Sequence, residues 1–177
     1  SFLRPRDGEE GRVTYVELFF DLIYAFAVTQ LSHRLVHDLS AFSALQTLIL
    51  WFAVWLGWQY TCWVTNWFDP ERIPVRLLLF AVMLVGLVMA ASLPLAWGER
   101  GLVFAISYVT IQVGRSIVVL RFLGSQHALT ANFRRICGWL VISGVAWIAG
   151  GLLEGPERFA CWTFAVLCEY LSPMLGF

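Results

Sequence analysis

A chain of 177 residues that is 59% hydrophobic and 16% aromatic but only 14% charged lies far from the balance of a water-soluble domain, and reads as an integral membrane protein. Its formal net charge is zero, so no basic face is available to neutralise phosphates, and nucleic acid is excluded as a partner. The four cysteines, Cys62, Cys137, Cys161 and Cys168, fall singly in apolar runs with no CxxC pair, the pattern of buried free thiols rather than disulfides or metal ligands.

The first twelve residues are polar, with Arg4, Arg6 and Arg12 set against Asp7, Glu9 and Glu10. They resemble neither a signal peptide nor a transit peptide, so segment 1–12 is expected to lie in the cytoplasm and the apolar run after it to stay as a spanning helix. A helix needs about twenty apolar residues to cross a hydrocarbon core. Six stretches qualify, roughly 13–35, 42–67, 75–97, 102–123, 136–153 and 159–177, separated by polar connectors such as Asp69-Pro70-Glu71-Arg72 and Glu154-Gly155-Pro156-Glu157-Arg158. Long continuous runs favour helices over a barrel. The expected fold is all-α, a polytopic transmembrane helix bundle with about six spanning helices over residues 13–177.

Arginine placement predicts orientation, because positive charge is retained on the cytoplasmic side. Eight arginines (4, 6, 12, 72, 76, 121, 134 and 135) fall in one set of flanks and three (Arg34, Arg100 and Arg158) in the other. Both termini are therefore expected in the cytoplasm, with the chain multi-pass in a cytoplasmic (inner) membrane and the lipid bilayer as its first partner.

In the second run Trp51, Trp55, Trp58 and Cys62 are spaced to share one helical face. Such a stripe could line a pocket for a flat ligand, but only Gln59 adds polarity nearby, which favours lipid or helix contact. Gly86 with Ala90 and Ala146 with Gly150 are small-residue pairs that let helices approach closely. His33 and His37 share a face at the outer end of the first run, and no other span carries a histidine. A haem bridging two helices of this segment is not expected, nor is a metal site or any other cofactor.

Four ionisable residues remain inside the runs: Glu17, Asp21, Arg115 and Glu169. Each costs about 2.5–3.5 kcal/mol at a helix centre, so such residues usually face a bundle interior or water and find a partner. Glu17, Asp21, Tyr24 and Val28 fall on one face; Tyr108, Gln112 and Arg115 share another; Tyr170 lies beside Glu169. Counted at 1.5 Å per residue from the cytoplasmic ends, Asp21, Arg115 and Glu169 share a depth of roughly 12 Å. Arg115 is thus expected to pair with Asp21 or Glu169, with Glu17 shallower and Tyr24, Tyr108, Gln112 and Tyr170 as supporting polar groups. Three acids against one arginine leave a surplus that could hold a proton or a cation, since burial favours the neutral form of an unpartnered carboxyl. The same residues could equally form a structural network that fixes helix register.

The opening residues Val13-Thr14-Tyr15-Val16-Glu17-Leu18-Phe19-Phe20-Asp21-Leu22, continued by Ala25-Phe26-Ala27-Val28-Thr29-Gln30-Leu31, resemble the first helix of the bacterial low temperature requirement protein A family. Glu169-Tyr170-Leu171-Ser172-Pro173-Met174-Leu175-Gly176-Phe177 is similar to the element that closes that family's first half, with Ser172 where the family often has glycine. The resemblance implies a multispanning bacterial membrane protein of about twice this length, of which this chain would be the N-terminal half. A C-terminal second half, or another subunit, is then an expected partner.

Function is expected to be that of a proton- or ion-coupled transporter or channel-like protein using the carboxylate and arginine group. A membrane-embedded enzyme or redox protein acting on a lipid-like substrate is the alternative from another class. The sequence holds no DDxxD-type metal cluster and no nucleophile constellation, and the HxxxH spacing of His33 and His37 stands alone at the outer end of the first run, so no catalytic residue is named. A non-catalytic assembly component, whose charges only set helix pairing, is the third reading.

Overall fold

A computed structural model describes residues 2, 3, 13–124 and 127–175; apart from Phe2 and Leu3, the N-terminal segment 1–12 lies outside the described residues. The described chain is helical throughout: α1 (Tyr15–His37), α2 (Ala41–Trp67), α3 (Ile73–Ser92), α4 (Gly101–Val109), α5 (Arg115–Leu123), α6 (Thr130–Leu152) and α7 (Gly155–Leu171). A π-turn, Thr110–Gly114, joins α4 to α5, so the two form one continuous span, Gly101–Leu123. Among the described residues five spans are long and apolar enough to cross a membrane; α7, with 17 residues, is the short one and continues into a 3₁₀ turn, Ser172–Leu175. The fifth run becomes helical at Thr130, ahead of the expected position 136, because the polar residues before Ile136 continue the helix outward.

Local chemistry sets the helix ends. Thr14 and Glu17 form a reciprocal cap: the Glu17 amide donates to Thr14 Oγ1 at 3.3 Å, and the Thr14 amide donates to Glu17 Oε2 at 2.8 Å. Ser40 caps α2 by accepting from the Ser43 amide, and α3 and α7 carry proline in their first turn, where the missing N–H has no intrahelical role. Gly124 closes α5 at φ 69°, a backbone conformation that side chains disfavour.

Inside a membrane lipid tails are as apolar as leucine, so helices associate through close packing and hydrogen bonds. An aromatic cluster from α4, α6 and α7 forms the centre, with Trp147 and Trp162 ring centroids 5.3 Å apart and Tyr108 and Trp147 5.0 Å apart. Glycines make this approach possible: a Cβ on Gly150 would stand 2.4 Å from Trp162, and one on Gly151 3.0 Å from the Leu102 backbone. The small pair Ala146 and Gly150 is thus a packing device of α6 against α7.

Arg158, which the sequence puts in a connector, is instead buried in the first turn of α7. Its Nη1 donates to the carbonyls of Ala96 (3.1 Å) and Gly98 (2.6 Å), and its Nε to those of Gly150 (3.0 Å) and Leu153 (2.9 Å). One guanidinium thereby gathers the carbonyls left open at the end of α6 and in the turn before α4. At the same end of the bundle Arg34 donates to Gln46 Oε1 (2.6 Å) and the Pro94 carbonyl (3.3 Å), and Arg100 to the Ala91 carbonyl (3.1 Å).

Candidate functional site

The four ionisable residues do not share one environment. Arg115 and Glu169 are buried, at 3% and 2% exposure. Asp21 is exposed on the flank of α1, and Glu17 is half-buried within the α1 cap.

Arg115 and Glu169 are joined through two neutral side chains. One terminal nitrogen of Arg115 donates to the Gly57 carbonyl (3.1 Å) and to Thr61 Oγ1 (2.9 Å) on α2; the other donates to Gln112 Oε1. Gln112 Nε2 donates to Tyr108 Oη at 2.9 Å, and Tyr108 donates to Glu169 Oε2 at 2.6 Å. Glu169 Oε1 accepts from Ser143 Oγ (2.8 Å) and Trp147 Nε1 (2.9 Å) on α6. The polarity of this chain is forced, because a guanidinium can only donate. Gln112 must therefore accept with its oxygen and donate with its nitrogen, leaving the Tyr108 proton for Glu169. Each bond in such a series polarises the next in a low-dielectric interior.

The π-turn explains why one helix serves both sides of the bundle. Its extra residue rotates the residues after the turn by about 100° relative to an unbroken helix. Tyr108, before the turn, faces α6 and α7, whereas Arg115, after it, faces α2, and Gln112 within the turn bridges them. A cavity of about 190 Å³ between α3 and this turn includes Arg115 in its wall. The Arg115 guanidinium also lies over the Tyr60 ring, 5.5 Å from its centroid.

Among the described residues, no ion pair joins Arg115 to Asp21 or to Glu169. The pairing expected from helix depth is replaced by the Gln112 and Tyr108 relay, because the guanidinium is turned toward α2. Asp21 instead accepts from Trp58 Nε1 at 2.7 Å. Asp21, Tyr24 and Val28 do share the face expected of them, and with Trp51, Trp55 and Trp58 they line a cleft of about 230 Å³ between α1 and α2. Asp21 is the polar partner that the tryptophan stripe lacks when α2 is read alone. Tyr24 is buried, and its hydroxyl has no hydrogen-bond partner among the described residues; a Cβ at Gly57 would lie 3.1 Å from it. Tyr170 sits outside the chain, donating to the Phe52 carbonyl at 2.8 Å.

Sequence reading missed Thr61, Ser143 and Trp147. Ser143 and Trp147 are four apart on α6, a polar pair on one face, and that spacing was the available signal. His33 and His37 are exposed, all four cysteines are free and half-buried, and among the described residues no three His, Cys, Asp or Glu side chains converge.

Apolar helices of spanning length around a buried polar chain define a polytopic helical membrane protein. The chain belongs to the family described as bacterial low temperature requirement A protein (LtrA), whose model matches residues 12–177. It is similar to an uncharacterized protein, RA0937, of Rhizobium meliloti (strain 1021), with 41% identity over 177 residues. That alignment covers 99% of this chain and 43% of the relative, so the chain spans less than half of the length of the curated relative it matches. No solved structure matches it.

Proposed function

We propose that the protein is a proton- or ion-coupled transporter or channel-like protein of a bacterial cytoplasmic membrane, working with a second half or a further subunit. The observation that carries this reading is the buried series Arg115, Gln112, Tyr108 and Glu169. It links a cation to a carboxylate through a hydroxyl and an amide, and buried ionisable groups in helical bundles commonly mark ion and proton pathways. Asp21 adds a second acidic position, on the α1 flank.

The proposal includes a cytoplasmic N-terminus, supported by the distribution of arginines. Arg34, Arg100 and Arg158, the three arginines of the opposite end, all donate to acceptors within the fold, most of them backbone carbonyls. The exposed Arg121, Arg134 and Arg135 lie at the end of the bundle where α1 begins, as the positive-inside rule requires of a cytoplasmic face. Single-cysteine labelling of intact cells in a cysteine-free background tests this, and labelling at position 127 from outside the cell refutes it.

Transport is tested by reconstituting the full-length protein in proteoliposomes with an entrapped pH dye. Flux that depends on a pH gradient and is lost in Glu169→Gln and Tyr108→Phe supports the reading. Absence of flux, or flux indifferent to both changes, favours a structural role, for which one observation already speaks: both Glu169 oxygens and both terminal nitrogens of Arg115 are hydrogen-bonded.

A further inference from the structure

We propose that the cleft between α1 and α2 is a binding site for an organic ammonium ion, a primary or quaternary ammonium carried on an apolar body. The walls are the indoles of Trp51, Trp55 and Trp58, the Tyr24 ring, and a single carboxylate, Asp21. Trp51 and Trp55 are stacked with centroids 5.5 Å apart, and Trp55 and Trp58 are tilted at 5.1 Å, so the rings form a continuous aromatic wall beside Asp21. Trp58 Nε1 fixes Asp21 Oδ1, while Asp21 Oδ2 has no hydrogen-bond partner among the described residues.

Each alternative class of ligand conflicts with this chemistry. A divalent metal ion needs several oxygen ligands and finds one carboxylate. An anion is repelled by Asp21. A neutral apolar molecule leaves the Asp21 carboxyl without a cationic partner within the span. An ammonium satisfies both features together: its charge offsets Asp21, and its N–H or N-methyl groups rest on the faces of the indoles, as in the aromatic cages that hold choline and methyl-lysine. A cleft of about 230 Å³, otherwise lined by Ala25, Val28 and Val54, accepts an alkyl substituent beside the charged head.

This site is separate from the buried Arg115 series, and its test is a binding measurement, so failure of transport leaves it standing. Octyltrimethylammonium is titrated calorimetrically into full-length protein in a neutral detergent, with octanol as the uncharged control. Saturable binding that octanol does not displace, weakened about tenfold by Asp21→Asn and several-fold by Trp55→Leu but unchanged by Glu71→Gln, is the expected result. Trp55 is exposed, so its replacement leaves the fold intact even if Asp21→Asn does not. Competition by tetramethylammonium supports a soluble amine as the natural occupant. Suppressed probe binding in phosphatidylethanolamine nanodiscs, relative to phosphatidylglycerol nanodiscs, supports a lipid headgroup. Equal displacement by octanol, undiminished binding in both variants, or no binding to the full-length protein, where other chain segments would cover the cleft, overturns the proposal.

Discussion

Arg115 and Glu169 occupy one buried interior, on α5 and α7, yet they meet only through Gln112 and Tyr108. Opposite charges that are spaced in this way gain less direct Coulomb energy than a contact pair, but every intervening dipole is oriented by both ends. Removing any member therefore disturbs the whole series.

Tyr108→Phe deletes the central hydroxyl, leaving Glu169 Oε2 and Gln112 Nε2 each without a buried partner. A loss of about 1–3 kcal/mol in unfolding in mixed detergent is expected, as for an unsatisfied buried polar group. Combined with Arg115→Gln, the loss should fall short of the sum of the single changes by at least about 0.5 kcal/mol, because both disrupt one series. Strict additivity would show that Arg115 and Tyr108 are not coupled.

Arg115→Lys should destabilise the fold rather than behave as a conservative change. The guanidinium uses two nitrogens to reach Gly57 and Thr61 on one side and Gln112 on the other, a fork that a single ammonium cannot reproduce. Thr61→Val, which keeps shape but removes one acceptor, should cost about 1 kcal/mol. Ranking the three proteins by thermal inactivation in detergent checks this; Lys equal to wild type would contradict the bidentate role.

Tyr24 and Gly57 provide a suppressor test. Tyr24 Oη lies 3.1 Å from where a Gly57 Cβ would stand and has no hydrogen-bond partner among the described residues. Gly57→Ala is expected to destabilise by about 1 kcal/mol through overpacking, and Gly57→Val by more. Tyr24→Phe should be neutral or stabilising by itself, since it removes an unsatisfied buried hydroxyl, and should restore much of what Gly57→Ala loses. Melting of the double variant at the temperature of Gly57→Ala alone would mean that the two positions do not touch as described.

Arg158→Gln should cost about 2–4 kcal/mol, since the carbonyls of Ala96, Gly98, Gly150 and Leu153 lose a shared charged donor. Gly150→Ala should cost a comparable amount, because its methyl would fall 2.4 Å from Trp162 and that large ring is held on several sides. Both effects should appear in detergent stability with little change in the binding of octyltrimethylammonium, which engages the other side of the bundle.

Much of the architecture is legible in the amino-acid order. Continuous apolar runs of about twenty residues determine spanning helices, because a helix satisfies its backbone hydrogen bonds within the one segment, whereas barrel strands are shorter and alternate in polarity. The 3.6-residue period brings Asp21, Tyr24 and Val28 onto one face, but the common face it predicts for Tyr108, Gln112 and Arg115 is broken by the π-turn between them. The motifs around Asp21 and Glu169 are enough for family membership. Which helix faces which neighbour is decided by tertiary packing. Periodicity ranks residues around one axis but carries no information on the rotation of one axis against another. The π-turn shifts Arg115 toward α2, and α1 turns Asp21 to the Trp58 indole rather than the interior. The connector arginine at position 158 enters the core because open carbonyls of two separate segments converge there. These outcomes depend on contacts between residues tens of positions apart, which only the assembled bundle brings within hydrogen-bonding distance.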